Sequence, residues 1–360
     1  MKIDGALRGG GGEVGCDVAE SNSHGSCLFR PGPCIARTWD RQDTGSAAKS
    51  DRLSRDLSVN GNRPSEGHLI TLAPVNETTA RILEGAPARD AVLARVAGRL
   101  AAAGSPVVRL ATVLVGNDAP SRRYVASKHA VAGEVGIGSL QVELPADTTQ
   151  AALEDRVARL ATDESVHGIL VQMPLPAHLD AERVLALIPA AKDVDGLTEA
   201  SLGRLMRGVP GHVGCTPLGV IELLAHYGIA TAGRHAVVVG RSLLVGLPLS
   251  VLLARKGIDA TATLAHSRSQ NLVEVCRSAD IIVSATGVAH SIGVAHVKPG
   301  AVVIDVGISR TERGIVGDVD LAAIAGVASA VTPMPGGTGL MTVACLMSNT
   351  LDAAAMQGVL

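Results

Sequence analysis

The chain has 360 residues, 47% of them hydrophobic, and a formal net charge of -2. That balance describes a globular protein long enough for two domains, without the basic excess of a nucleic-acid binder. Apolar stretches are cut by charges before they reach bilayer length, and residues 1–8 lack the apolar run of a signal peptide, so the expectation is a cytoplasmic protein with no membrane partner.

Residues 1–75 carry Gly9 to Gly12, scattered polar residues, and the single Phe29 and Trp39, without sustained periodicity. They read as a disordered extension, or as sequence upstream of a true start near Val75. From Pro87 the pattern becomes regular. Pro87 suits the first turn of a helix running to about Ala103, with Gly104 as its C-cap. Val107 to Val115 reads as a buried strand, Pro120 to Val135 as a helix closed by Gly136, and Ser139 to Leu144 as a second strand. Asp147 or Thr148 is expected to cap a helix through Ala161, and Gly168 to Gln172 reads as a third strand. A helix from Pro217 to Tyr227 leads into a new unit.

That unit opens with His235-Ala-Val-Val-Val-Gly240, a β-branched run of the kind a central parallel strand requires. Gly240 permits a sharp turn, and Gly246 permits close packing of the next helix. Backbone N–H groups at such a turn bind phosphate, and Arg241 adds a full positive charge. The following strand, Ala260 to Ala265, ends in His266-Ser267-Arg268, where an NAD site has an Asp or Glu for the ribose. A hydroxyl and a guanidinium suit a 2′-phosphate, so NADP is favoured over NAD. The plainer alternative is an ordinary βαβ unit with a surface arginine. A small-residue apolar helix from about Gly339 to Ala355 closes the chain and is expected to pack back on the first lobe. The elements predict an α/β fold of two lobes, each a mainly parallel sheet flanked by helices, the second Rossmann-like. The boundaries are 80–213, completed by 339–357, and 214–333.

The cysteines show no C-x-x-C spacing and read as free thiols, and no metal motif appears among the histidines. Only six of the 32 basic residues are lysines, so a lysine inside a motif stands out. Tyr124 and Lys128 lie one turn apart on a helix face; alone, the pair also fits a solvated lysine beside a packing tyrosine. Gln172 ends a buried strand, where its amide needs a partner. Lys192-Asp-Val-Asp-Gly196 is an acidic turn, which in isolation reads as a capping loop. Thr332 to Thr342 is a glycine-rich entry to the final helix, with a plain capped loop as its alternative.

Taken together, over roughly residues 80–360, these segments resemble the bifunctional methylenetetrahydrofolate dehydrogenase/methenyltetrahydrofolate cyclohydrolases. The resemblance runs through Leu110 to Gly116, the Tyr124/Lys128 pair, Gly168-Ile-Leu-Val-Gln-Met-Pro-Leu-Pro176, Lys192-Asp-Val-Asp-Gly196, Cys215-Thr-Pro217, Val239-Gly-Arg-Ser242, His266-Ser267, Val303 to Gly307 and the Pro335-Gly-Gly loop. It implies that Lys128 transfers protons and activates water at the bridging carbon, held by Gln172, with Tyr124 against the folate ring system. Asp195 would accept hydrogen bonds from the pterin's amino-pyrimidine edge. Arg241 and Ser267 would bind the 2′-phosphate of NADP with Ser242 nearby, and Gly336 and Gly337 would border both ligands. Tetrahydrofolate derivatives, a homodimer and a place in one-carbon metabolism and purine biosynthesis follow from the same resemblance. The chain departs from the family at Asp195-Gly-Leu-Thr-Glu199, at Gly214, at Leu247 and at Gly337-Thr-Gly-Leu-Met-Thr342. Two other readings compete: a different two-domain NADP dehydrogenase acting on shikimate-like acids, and a regulatory paralogue that binds folate or nucleotide.

Overall fold

Alternating βα units give the chain its two parallel sheets. The computed structural model describes residues 79–312 and 314–360; the extension read over residues 1–75 lies outside them. In chain order the elements begin with β1 (Arg81–Ile82), α1 (Gly85–Ala102), β2 (Arg109–Val115), α2 (Ala119–Glu134), β3 (Gly138–Leu144), α3 (Gln150–Thr162) and β4 (Gly168–Val171). Three helices follow: α4 (Ala181–Leu185), α5 (Glu199–Arg207) and α6 (Cys215–His226). The chain continues through β5 (His235–Val239), α7 (Gly246–Ala254), β6 (Thr261–Ala265), α8 (Leu272–Arg277), β7 (Ile281–Ser284) and β8 (Val302–Asp305). It ends with β9 (Ser309–Thr311), β10 (Gly314–Val316), α9 (Leu321–Ile324), β11 (Ala330–Val331) and α10 (Thr338–Met356).

The first sheet is parallel in the order β3-β2-β4. Its middle strand is buried on both faces from Leu110 to Val115, an apolar run interrupted only by Thr112, whose hydroxyl pairs with His129 Nε2 at 2.8 Å. Thr149, not Asp147 or Thr148, caps α3, accepting from the Ala152 N–H at 3.3 Å. Ala103 caps α1, and Gly104 follows it at φ +81°, the left-handed turn that ends the helix.

The second sheet is six-stranded and parallel, in the order β1-β11-β8-β7-β5-β6. Its edge strand β1 precedes α1 in the chain, yet Arg81 and Ile82 pair with Ala330 and Val331. Two residues of backbone pairing leave no periodicity to read, so the sequence placed this segment with the first lobe. From β5 the chain moves outward to β6 and then returns to β7 on the other side. The crevice at the carboxyl ends of these strands is where open α/β sheets bind ligands. β9 and β10 form a separate antiparallel hairpin.

Helix α10 is largely buried, as expected of a mostly apolar helix. It packs on α1, α6 and α2. Met341, Leu346 and Leu351 of α10 share one core with Leu83, Leu223, Val238, Val283 and Ile304, so the two lobes have continuous packing. Each such fully buried Leu or Ile contributes about 1.5–3 kcal/mol. Among the described residues no helix is long and apolar enough to cross a membrane, and no group of His, Cys, Asp and Glu could hold a metal ion.

Candidate active site

The buried face of α2 runs Ser121, Val125, Lys128, Ala132. The spacing of four, three and four residues is that of one helix face, and Lys128 occupies a core position on it. Lys128 is only 8% exposed. Its Nζ donates to Gln172 Oε1 at 2.9 Å, and Gln172 Nε2 donates to the Met173 carbonyl at 2.7 Å. That second bond keeps the amide oxygen turned toward the amine. Burial lowers the Lys128 pKa below the ordinary lysine value, and the nearby Asp195 carboxylate partly opposes the shift. The solvated-lysine alternative does not hold.

The Lys192–Gly196 turn divides its work. Lys192 Nζ donates to the carbonyls of Asp163 at 2.8 Å and Leu160 at 3.5 Å, closing the carboxyl end of α3. Asp193 accepts from the N–H groups of Leu197 at 3.2 Å and Thr198 at 2.9 Å. These two residues are the capping loop. Asp195 instead stands with Lys128 and Cys215; burial raises its carboxyl pKa and the Lys128 charge offsets part of the rise.

Two further residues belong to this cluster: Cys215, which the sequence places in a family motif without a role, and Asn349, which it does not single out. Cys215, the first residue of α6, donates its thiol to the Val194 carbonyl at 3.3 Å, and burial pushes its pKa far above the usual range. A thiol held protonated in this way is packing, not a nucleophile. Asn349 on α10 donates to the carbonyls of Val194 at 2.8 Å and Val213 at 2.9 Å. It ties the final helix to the turn that carries Asp195. A lone amide in a largely apolar helix was the available signal, because a buried amide requires partners.

Tyr124, one turn before Lys128, is 40% exposed. It lines a cleft of about 300 Å³ with Ser127, Met334, Pro335 and Gly336. The glycine loop is fastened from both sides. Gly336 O accepts from the Gly85 N–H at 2.7 Å, and Thr338 Oγ1 donates to the Asp305 carbonyl at 2.8 Å. A Cβ on Gly337 would strike the Pro333 carbonyl, so only glycine permits this approach.

On the other lobe, the pairing of Val239 with Ala265 sets Gly240–Ser242 beside His266–Arg268. Gly240 donates to the Ala265 carbonyl at 2.9 Å and has φ +126°; a Cβ there would run into the Ala285 carbonyl. A Cβ on Gly246 would overlap the Gly240 carbonyl. The turn is longer than the sequence implied: residues 240–245 separate strand from helix, and Ser242 Oγ accepts from the Val245 N–H at 3.2 Å. Arg241, Ser242, Ser267 and Arg268 are exposed, and neither 240–246 nor 265–270 contains an acid. A glycine cradle bordered by two guanidiniums and two hydroxyls fits a phosphorylated nucleotide.

Fold and site define a two-lobed α/β enzyme of the nucleotide-binding kind, with a buried lysine in the lobe opposite the nucleotide crevice. Residues 83–195 match the tetrahydrofolate dehydrogenase/cyclohydrolase catalytic domain, and residues 214–358 match the NAD(P)-binding domain of the same family. The chain belongs to the tetrahydrofolate dehydrogenase/cyclohydrolase family. It is 49% identical over 244 residues to the bifunctional protein FolD of Oleidesulfovibrio alaskensis, covering 67% of this chain and 85% of that one. Against the bifunctional protein FolD of Cereibacter sphaeroides it is 49% identical over 282 residues, covering 76% and 95%. Among solved structures, the FolD methylenetetrahydrofolate dehydrogenase/cyclohydrolase of Campylobacter jejuni matches with a TM-score of 0.75 at 38% identity, over 77% of this chain and 99% of that one. The Trypanosoma brucei enzyme, complexed with NADP and an inhibitor, matches with a TM-score of 0.73 at 35% identity, over 78% and 99%.

Proposed function

We propose that the chain oxidises 5,10-methylenetetrahydrofolate to 5,10-methenyltetrahydrofolate with NADP, hydrolyses that product to 10-formyltetrahydrofolate, and uses Lys128 as the proton-transfer group. The observation that carries the reading is the buried Lys128–Gln172 pair at 2.9 Å, with Asp195 beside it. A lysine whose pKa is lowered by burial has neutral amine available to take a proton from water as the water oxygen bonds to the methenyl carbon. The bond from that carbon to the pterin nitrogen then breaks as the new hydroxyl gives up its remaining proton to become the formyl oxygen; the nitrogen takes up a proton, and the formyl group stays on the other nitrogen. Gln172 accepts one amine hydrogen and so orients the lone pair. Asp195 accepts from the amino-pyrimidine edge of the pterin, and Tyr124 lies against the ring system. Gly336 and Gly337 border both ligands.

Gly240, Arg241, Ser242, Ser267 and Arg268 would hold NADP, with the two guanidiniums and the hydroxyls at its 2′-phosphate. When bound, NADP supplies the nicotinamide ring that accepts a hydride from the methylene bridge. The protein contributes alignment. In domain terms, residues 83–213 with 339–357 form the folate-binding unit, and 214–333, edged by β1, the NADP-binding unit. The reading includes a cytoplasmic homodimer serving one-carbon metabolism and purine biosynthesis, on the support of the family; sedimentation of the purified chain tests the dimer. The deciding assay follows methenyl formation from methylenetetrahydrofolate with NADP and with NAD, and separately the hydrolysis of methenyltetrahydrofolate. Turnover of both folates with preference for NADP is expected; a purified, folded chain that turns over neither would refute the reading.

A further inference from the structure

We infer that Arg123 and Arg310 form a carboxylate subsite at the outer part of the Tyr124 cleft, and that it takes the glutamate end of the folate substrate. The inference rests on the folate reading of the site. Both arginines line the cleft of about 300 Å³ that Tyr124 lines. They reach it from separate elements: Arg123 from the second turn of α2, and Arg310 from β9 of the hairpin. Among the described residues neither guanidinium makes a hydrogen bond or an ion pair. Their neighbour Arg122 is already engaged, with Asn117 at 3.0 Å and Glu143 at 2.9 Å.

The two arginines also converge on a common place. Asp118, the N-cap of α2, has its carboxyl pKa lowered first by hydrogen bonds from Ser121 and further by the charges of Arg310 and Arg123. One carboxylate therefore feels both guanidiniums. Among the described residues it forms no ion pair with either; its Oδ2 accepts from the Ser121 N–H at 2.9 Å and the Ser121 hydroxyl at 2.7 Å. Two cations held near one another without a partner leave a site for an anion, and the guanidinium fork matches carboxylate geometry.

The rest of the cleft fits what precedes such an anion. Ile308 and Ile315 of the hairpin region line it and are 44% and 46% exposed, leaving apolar surface to be covered. Along α2 the order is Lys128, buried; Tyr124, at the wall; Arg123, exposed. Tetrahydrofolate has a matching order: a pterin, a benzoyl ring and a glutamate bearing two carboxylates. With the pterin edge at Asp195 and the reacting carbon at Lys128, the benzoyl ring passes Tyr124 and the isoleucines, and the carboxylates meet the two arginines.

The test compares methylenetetrahydrofolate with an analogue whose glutamate is replaced by an uncharged alkyl amide, in the unmodified full chain, Arg123→Ala, Arg310→Ala and the double variant. Each single variant should raise KM for the glutamate substrate about tenfold with kcat unchanged, a charge-assisted contact being of that size. KM for the uncharged analogue should stay the same in all four proteins. In the unmodified chain alone, added salt should raise KM for the glutamate substrate. An unchanged KM for the glutamate substrate in the double variant would overturn the subsite while leaving the folate reading standing, and so would equal losses on both substrates. If the unmodified chain turns over neither substrate, the folate reading falls and the subsite falls with it.

Discussion

Replacing Lys128 by Met separates binding from chemistry. Methionine keeps the volume of the lysine stem and removes the amine, so the buried stripe of α2 retains its packing. The 2.9 Å bond to Gln172 is lost. That leaves an amide oxygen unsatisfied, at about 1 kcal/mol, while the cost of burying an amine disappears. The fold should therefore survive. A positioned base contributes about 10²–10⁴-fold, which is about 3–5 kcal/mol in the barrier to hydrolysis. Dehydrogenase turnover should fall less, because it depends chiefly on alignment, and NADP affinity should be almost unmoved. The pH dependence supplies a second readout. Burial lowers the Lys128 pKa, so the neutral amine accumulates on a limb below the ordinary lysine value and hydrolysis accelerates as pH rises along it. The folded state releases this proton before the unfolded chain does, so stability also rises with pH across that window; Lys128→Met removes both slopes. The assay is loss of methenyltetrahydrofolate absorbance across pH, beside an NADP titration and thermal melts. Hydrolysis at the original rate, or a pH limb that persists in the variant, would refute the assignment.

Arg241→Ala should weaken NADP far more than NAD, since a charge-assisted phosphate contact is lost; parallel losses measured by titration of both cofactors would remove the 2′-phosphate role. Gly246→Ala places a methyl group against the Gly240 carbonyl and should lower stability by about 1–3 kcal/mol, so an unchanged melting temperature would contradict the packing described. Asp305 is 2% exposed, and burial raises its pKa to about 6, with Asp318 adding a like charge. Its folded pKa lies above the unfolded one, so its contribution is full below about pH 4 and is lost as pH rises through about 6. Asp305→Asn should flatten that part of the melting-temperature profile, and identical slopes in both proteins would count against the assignment.

Local pattern alone determined the three strands of the first sheet, β5 and β6 of the second, the pairing of Tyr124 with Lys128 on one helix face, and the largely apolar final helix. Each follows from chain-local physics: a strand buried on both faces is apolar throughout, and a helix face repeats every three to four residues. The same segments carried the family resemblance, so Tyr124, Lys128, Gln172 and Asp195 were named before any geometry. Tertiary structure decided what those residues meet. Within one five-residue turn, Lys192 and Asp193 hold backbone groups while Asp195 joins Lys128, and nothing in their spacing separates the two roles. Asn349 lies more than 150 residues from Val194, whose carbonyl it binds. The pairing of β1 with β11, and the meeting of Arg123 with Arg310 around one cleft, likewise join distant segments. Periodicity records only which face of an element is buried. What covers that face is settled when the lobes pack, because the burial of apolar surface on α10 against α1 and α6 selects among many partners that share the same local pattern.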